Sequence, residues 1–141
     1  MAEKRFHHVG LVVQGIQQSQ AELSNLAGVG SVSAVVFDPI QQVNVAFVSD
    51  GSPSSGLLEL IEPVGEHSPV QALASRGGGL HHICYEVDDL EEQLEVAKRA
   101  HAVVVRPPQP AAAFQGRRIA WVMTKYRLLV EYLEREHPGR R

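Results

Sequence analysis

A chain of 141 residues with 44% hydrophobic and 21% charged side chains has the length and apolar content of one ordinary globular domain. Its formal charge of −3 gives no basic footprint for nucleic acid. One cysteine, Cys84, excludes an internal disulfide and suits a reducing, cytoplasmic setting, and no apolar run near the start reads as a signal peptide or membrane span.

Residues 6–13 read as a buried strand in which Val9, Leu11 and Val13 alternate with His8, Gly10 and Val12; Gly15 breaks it. The spacing of Ile16, Leu23 and Leu26 predicts a helix over 16–26, ended by a turn at Gly28-Val29-Gly30. Residues 33–37 and 43–48 read as strands joined by Asp38-Pro39-Ile40-Gln41-Gln42. Residues 50–56 form a Gly/Ser/Pro loop, and 57–62 a strand stopped by Pro63. Ser68 and Pro69 start a short helix through Ala74, closed by Gly77-Gly78-Gly79.

The same order then repeats. A strand carries His81-His82-Ile83-Cys84-Tyr85-Glu86, and Asp88-Asp89 caps a helix with Leu90, Leu94 and Ala97 inward. A short strand at 103–105 precedes an irregular proline-rich loop at 107–114, with strands at 118–123 and 128–133. Residues 135–141 read as a solvated basic tail. Each half is β-α-β-β-β, so the fold class is α+β: modules of about 5–63 and 79–134 within one domain spanning 1–141.

Two features mark where the chemistry lies. The first is a paired histidine early in the first strand of each half, His7-His8 and His81-His82. The second is a glutamate inside an apolar strand, in Leu57-Leu58-Glu59-Leu60-Ile61 and Leu128-Leu129-Val130-Glu131-Tyr132-Leu133. An unpaired carboxylate at such a position costs several kcal/mol or becomes protonated. His8 to Glu59 is 51 positions and His82 to Glu131 is 49, while the two histidines lie 74 apart and the two glutamates 72. Strand alternation groups His8 with Gly10 and Val12, His82 with Cys84 and Glu86, and leaves His7 and His81 on the opposite face. If both half-sheets curve toward one cleft, His8, Glu59, His82 and Glu131 converge as ligands of one divalent metal ion such as cobalt, manganese, nickel, zinc or iron, with positions left for substrate.

Blander readings compete. A lone strand histidine is more often a hydrogen-bonded core residue, and a lone glutamate can pair with an arginine such as Arg117 or Arg118. The repeated spacing weighs against both. Cys84 reads as a small packing residue, Gly77-Gly78-Gly79 as a turn rather than a phosphate loop, and Glu91 to Glu95 as a solvated helix face.

Residues 6–13, 56–63, 68–89 and 118–134 together resemble the vicinal-oxygen-chelate (glyoxalase-like) superfamily. His67-Ser68-Pro69-Val70, the run from Gly79 to Asp89, and Leu58-Glu59-Leu60-Ile61-Glu62-Pro63 are similar to the methylmalonyl-CoA epimerases within it. The resemblance implies paired β-α-β-β-β modules forming an open, curved mixed sheet around a metal, and a homodimer. It carries the ligand roles onto His8, Glu59, His82 and Glu131. It implies inversion at the carbon between a thioester and a carboxylate in an acyl-CoA, with Glu131 as one base; Glu59 is a candidate for the other face. Thr124-Lys125-Tyr126-Arg127 stands where those epimerases carry a Gly-rich turn with His-Pro. Two other readings use the same scaffold: a lactoylglutathione lyase-type isomerase, and a non-catalytic protein that sequesters a small molecule such as an antibiotic.

Overall fold

A computed structural model describes residues 3–27, 30–49 and 57–136. The elements run β1 (Lys4–Val12), α1 (Ile16–Leu26), β2 (Ser31–Val32), β3 (Val36–Asp38), β4 (Val43–Ser49), β5 (Leu57–Pro63), α2 (Gln71–Ser75), β6 (Gly79–Val87), α3 (Leu90–Arg99), β7 (Val103–Pro110), β8 (Arg118–Met123) and β9 (Leu129–Glu134), with a 3-10 turn at Ala112–Phe114. Both helices expected over 16–26 and from Leu90 are present, and the α+β repeat is the observed order. The chain divides into two compact units: His8–His81, and Met1–His7 with His82–Arg141.

In the His8–His81 unit the strands lie in the order β2-β4-β5-β1, with β3 also on β4. β1 runs parallel to β5, and β4 antiparallel to it. One face packs on α1 through Val13, Ile16, Ala46, Val48 and Leu60, joined by half-buried Leu11, Leu23, Val32 and Leu58. Burying such aliphatic side chains contributes about 1.5–3 kcal/mol each. The opposite face carries His8, Gly10 and Val12 of β1, Glu59 and Ile61 of β5, and Val45 and Phe47 of β4. The helix start has no cap of its own, because Gly15 offers no side chain. Glu62 of β5 supplies it instead: Ile16 N donates to its Oε2 at 3.1 Å while Asn44 Nδ2 donates to its Oε1 at 3.1 Å.

The other unit repeats this plan with the order β6-β9-β8-β7. β6 is parallel to β9; β8 is antiparallel to β9 and β7. Leu90, Leu94 and Ala97 of α3 pack on Val87, Ala120, Val122, Val130 and Tyr132. Asp89 caps α3, accepting from Glu92 N at 3.0 Å.

Four expectations need correction. The strand expected at 33–37 is not continuous: β2 at Ser31–Val32 precedes it, residues 33–35 belong to no strand, and β3 starts at Val36, with β2 and β3 each pairing separately with β4. The short helix starts at Gln71 rather than Ser68. Residues 107–110, expected as loop, extend β7. Proline is tolerated there because, among the described residues, β7 pairs only with β8, so missing N–H groups break no ladder on the other side. Arg135 is not in a frayed tail: its N donates to Val87 O at 2.8 Å and its guanidinium to Asp88 at 3.0 Å. The turn residues Gly28 and Val29, the loop at 50–56 and the tail residues 137–141 lie outside the described residues. Among the described residues no helix is long and apolar enough to cross a membrane.

The glycine run before β6 has a steric cause. Gly78 has φ +88°, and a Cβ there would collide with the carbonyl oxygen of Val12; at Gly77, φ +106°, a Cβ would meet open space. Gly77→Ala therefore costs only the left-handed strain, about 1–2 kcal/mol. Gly78→Ala costs at least ~1 kcal/mol more, because backbone must also move. Urea unfolding of the two variants measures the difference.

Candidate metal centre

Each unit buries one imidazole against one carboxylate. In the first, His8 and Glu59 are 0% and 4% exposed, with His8 Nε2 3.5 Å from Glu59 Oε1. In the second, His82 and Glu131 are 3% and 2% exposed, with Nε2 3.4 Å from Oε1. The strands dictate these pairs. β1 beside β5 sets Gly10 opposite Glu59, so His8 lies two residues along on the same face. β6 beside β9 sets Cys84 opposite Glu131, so His82 lies two residues along in the same way. His7 and His81, one residue earlier, are only half-buried. The His7 ring meets Phe114 edge-on at 5.4 Å.

The separations bear on what these pairs suit. A charge-assisted N–H···O bond closes to about 2.7–2.9 Å, and both pairs are wider. Two donors each about 2.1 Å from one ion, at a near-tetrahedral angle, stand about 3.4 Å apart. The imidazole and carboxylate donors therefore fit a borderline divalent ion in chemistry and in spacing. Neither arginine considered as a partner for the strand glutamates is occupied with them. Arg117 binds Glu86 at 3.0 Å. Arg118 bonds both oxygens of Glu134, at 3.0 and 2.9 Å, and reaches Glu91. Its guanidinium holds the Glu134 carboxyl below the usual carboxylate range, while Glu134 and then Glu91 raise Arg118 further above its ordinary value.

Sequence reading missed the aromatic wall behind each pair. Phe47 is the cross-strand partner of Glu59, and its ring lies edge-on to His8 at 5.4 Å and 69°. Trp121 is the cross-strand partner of Glu131, and its ring lies edge-on to His82 at 4.6 Å and 81°. Such contacts restrict the imidazole to one orientation. The signal was present: Ala46-Phe47-Val48 and Ala120-Trp121-Val122 lie 74 positions apart, the same interval as His8 and His82.

This chain belongs to the Glyoxalase/Bleomycin resistance protein/Dioxygenase superfamily, whose family model matches residues 7–121. Among its relatives is the ethylmalonyl-CoA/methylmalonyl-CoA epimerase of Cereibacter sphaeroides, 31% identical over 123 residues, covering 86% of this chain and 89% of the relative. The crystal structure of hypothetical protein BH1468 from Bacillus halodurans C-125 superposes with a TM-score of 0.80 at 25% identity, over 99% of both chains. That of methylmalonyl-CoA epimerase from Mycobacterium tuberculosis superposes with a TM-score of 0.78 at 20% identity, over 94% of this chain and 89% of that one. The α+β fold of two repeated modules is thus the glyoxalase-like fold.

Trp121 is 7% exposed and fills the space beside His82. Trp121→Ala should lower stability by about 3–5 kcal/mol, and Trp121→Phe, which keeps a ring edge there, by less than half of that. Urea denaturation followed by circular dichroism checks both.

Proposed function

We propose that this protein is a metal-dependent epimerase that inverts the α-carbon of a small acyl thioester, with methylmalonyl-CoA as the first substrate to test. The observation that carries the reading is the duplicated buried imidazole–carboxylate pair at 3.4–3.5 Å, in each unit on the strand face opposite its aliphatic packing. The epimerase relative from Cereibacter sphaeroides supports the substrate class. In this reading His8, Glu59, His82 and Glu131 hold one divalent ion. The two modules, at about 5–63 and 79–134, then form a single domain of 1–141. The protein works as a cytoplasmic homodimer, whose single cysteine, Cys84, is a buried thiol outside any disulfide.

A divalent ion bound by these residues supplies Lewis-acid stabilisation of the negative charge that develops on the thioester oxygen. The remaining work belongs to side chains. Glu131 takes the α-proton: the Cα–H bond breaks, its electron pair moves into the enolate, and the proton rests on the carboxylate. Burial of Glu131 at 2% exposure keeps bulk water from intercepting that proton. Trp121 and Phe47 hold the histidine rings while the charge moves. Return of a proton to the opposite face needs a second acid, for which Glu59, the repeat counterpart of Glu131, is a candidate.

The test is exchange of the α-proton of methylmalonyl-CoA with deuterated solvent. Exchange should require divalent metal, and Glu131→Gln should lower its rate about 10²–10⁴-fold. A metal-loaded protein that exchanges no acyl-CoA α-proton overturns the reading. His82→Ala should lose bound metal, measured by elemental analysis after dialysis, whereas His81→Ala should retain it; equal losses would put the ligand on the wrong strand face.

A further inference from the structure

The strand β7 carries a register shift that changes what one of its residues faces. Val104 is opposite Val122, but Arg106, two residues on, is opposite Trp121, only one residue back along β8. One extra residue, Val105, has been inserted, so the strand is bulged there. Without the bulge Arg106 would stand opposite Ala120, on the face that packs on α3 through Val104, Ala120 and Val122. With it, Arg106 joins the face of Trp121, Glu131 and Cys84. These residues form a cross-strand row, Arg106 to Trp121 to Glu131 to Cys84, through successive pairings. Strands about 4.8 Å apart place the Arg106 backbone about 10 Å from that of Glu131, and an extended arginine side chain covers much of that gap.

Its charge is also uncommitted. Among the described residues Arg106 takes part in no ion pair and no side-chain hydrogen bond, although it is partly buried. Arg117, Arg118 and Arg135 of the same unit each hold a carboxylate. A half-buried guanidinium without a counter-charge loses hydration for no return. Beside a site that binds an anion the same cost becomes binding energy, since a planar guanidinium matches carboxylate geometry with two parallel bonds.

We propose that Arg106 is the specificity-determining cation of the site, binding the free carboxylate of the substrate's acyl group. The proposal rests on the epimerase reading for the identity of the substrate, not for the presence of an anion site. The phosphates of coenzyme A are a second source of oxyanions. The pantetheine arm holds them far from the reacting carbon, whereas Arg106 lies two strands from Glu131, so the acyl carboxylate is the favoured partner.

The experiment measures equilibrium binding to metal-loaded protein with two probes, by dialysis against labelled ligand. Methylmalonate has the carboxylates and no coenzyme A; propionyl-CoA has coenzyme A and no free carboxylate. Arg106→Gln should weaken methylmalonate about ten- to a hundredfold and leave propionyl-CoA unchanged. Arg106→Lys, which keeps the charge and loses the paired geometry, should fall between. Unchanged metal content and unfolding midpoint in both variants exclude a folding defect; a loss of either is resolved by the Lys variant, whose selective weakening then carries the result. Equal weakening of both probes assigns Arg106 to the coenzyme and overturns the proposal. So does methylmalonate binding that is the same, or absent, in wild type and variant. Because binding is read without turnover, a wild type that shows this selectivity but exchanges no α-proton overturns the epimerase activity alone.

Discussion

The burial of a carboxylate in the middle of an apolar strand is the constraint on which this structure turns. Glu59 and Glu131 are almost wholly removed from water. Desolvation on that scale is affordable only where a partner of complementary chemistry is fixed at the same depth. Strand pairing supplies it. A parallel neighbour places a histidine one pleat along, and an antiparallel neighbour places an aromatic ring opposite. The helices α1 and α3 belong to the other face. Each half therefore separates its two tasks by sheet face, aliphatic packing on one and polar chemistry on the other.

Repetition makes this economical. The two units follow one plan, with a small residue, Gly10 or Cys84, on one side of the glutamate and a ring, Phe47 or Trp121, on the other. They differ where the plan leaves room. Gly10 leaves space that Cys84 fills, and indole replaces phenyl. β7 carries bulges and prolines, whereas the corresponding region of the other unit is divided between β2 and β3.

Much of this was legible in the sequence because the hydrophobic period reports which face a residue occupies. The helices over 16–26 and from Leu90 were readable from 3.6-residue spacing and the Asp89 cap. The glutamates stood out because they interrupt apolar strands. The aromatic partners did not, since Phe47 and Trp121 look like ordinary core residues until a pairing register sets them opposite a carboxylate. Glu62 was hidden for another reason: it caps a helix 46 positions away, and no local pattern records so distant a bond. Pro107 and Pro108 pointed the wrong way, because proline signals a break unless one knows that the strand is at an edge. The facing of Arg106 depends on a single inserted residue, which no alternation rule anticipates.

The prolines of β7 have a further consequence, in how the molecule meets its neighbours. Three of the strand's eight residues, Pro107, Pro108 and Pro110, have no N–H to offer. An unpaired strand of hydrophobic character invites another chain to dock along it, and Val103 and Val105 are exposed there. The proline run, with two departures from regular register, removes the continuous donor row that such docking needs. The same irregularity that turns Arg106 toward the carboxylate-bearing face thus keeps this border from growing into a larger sheet.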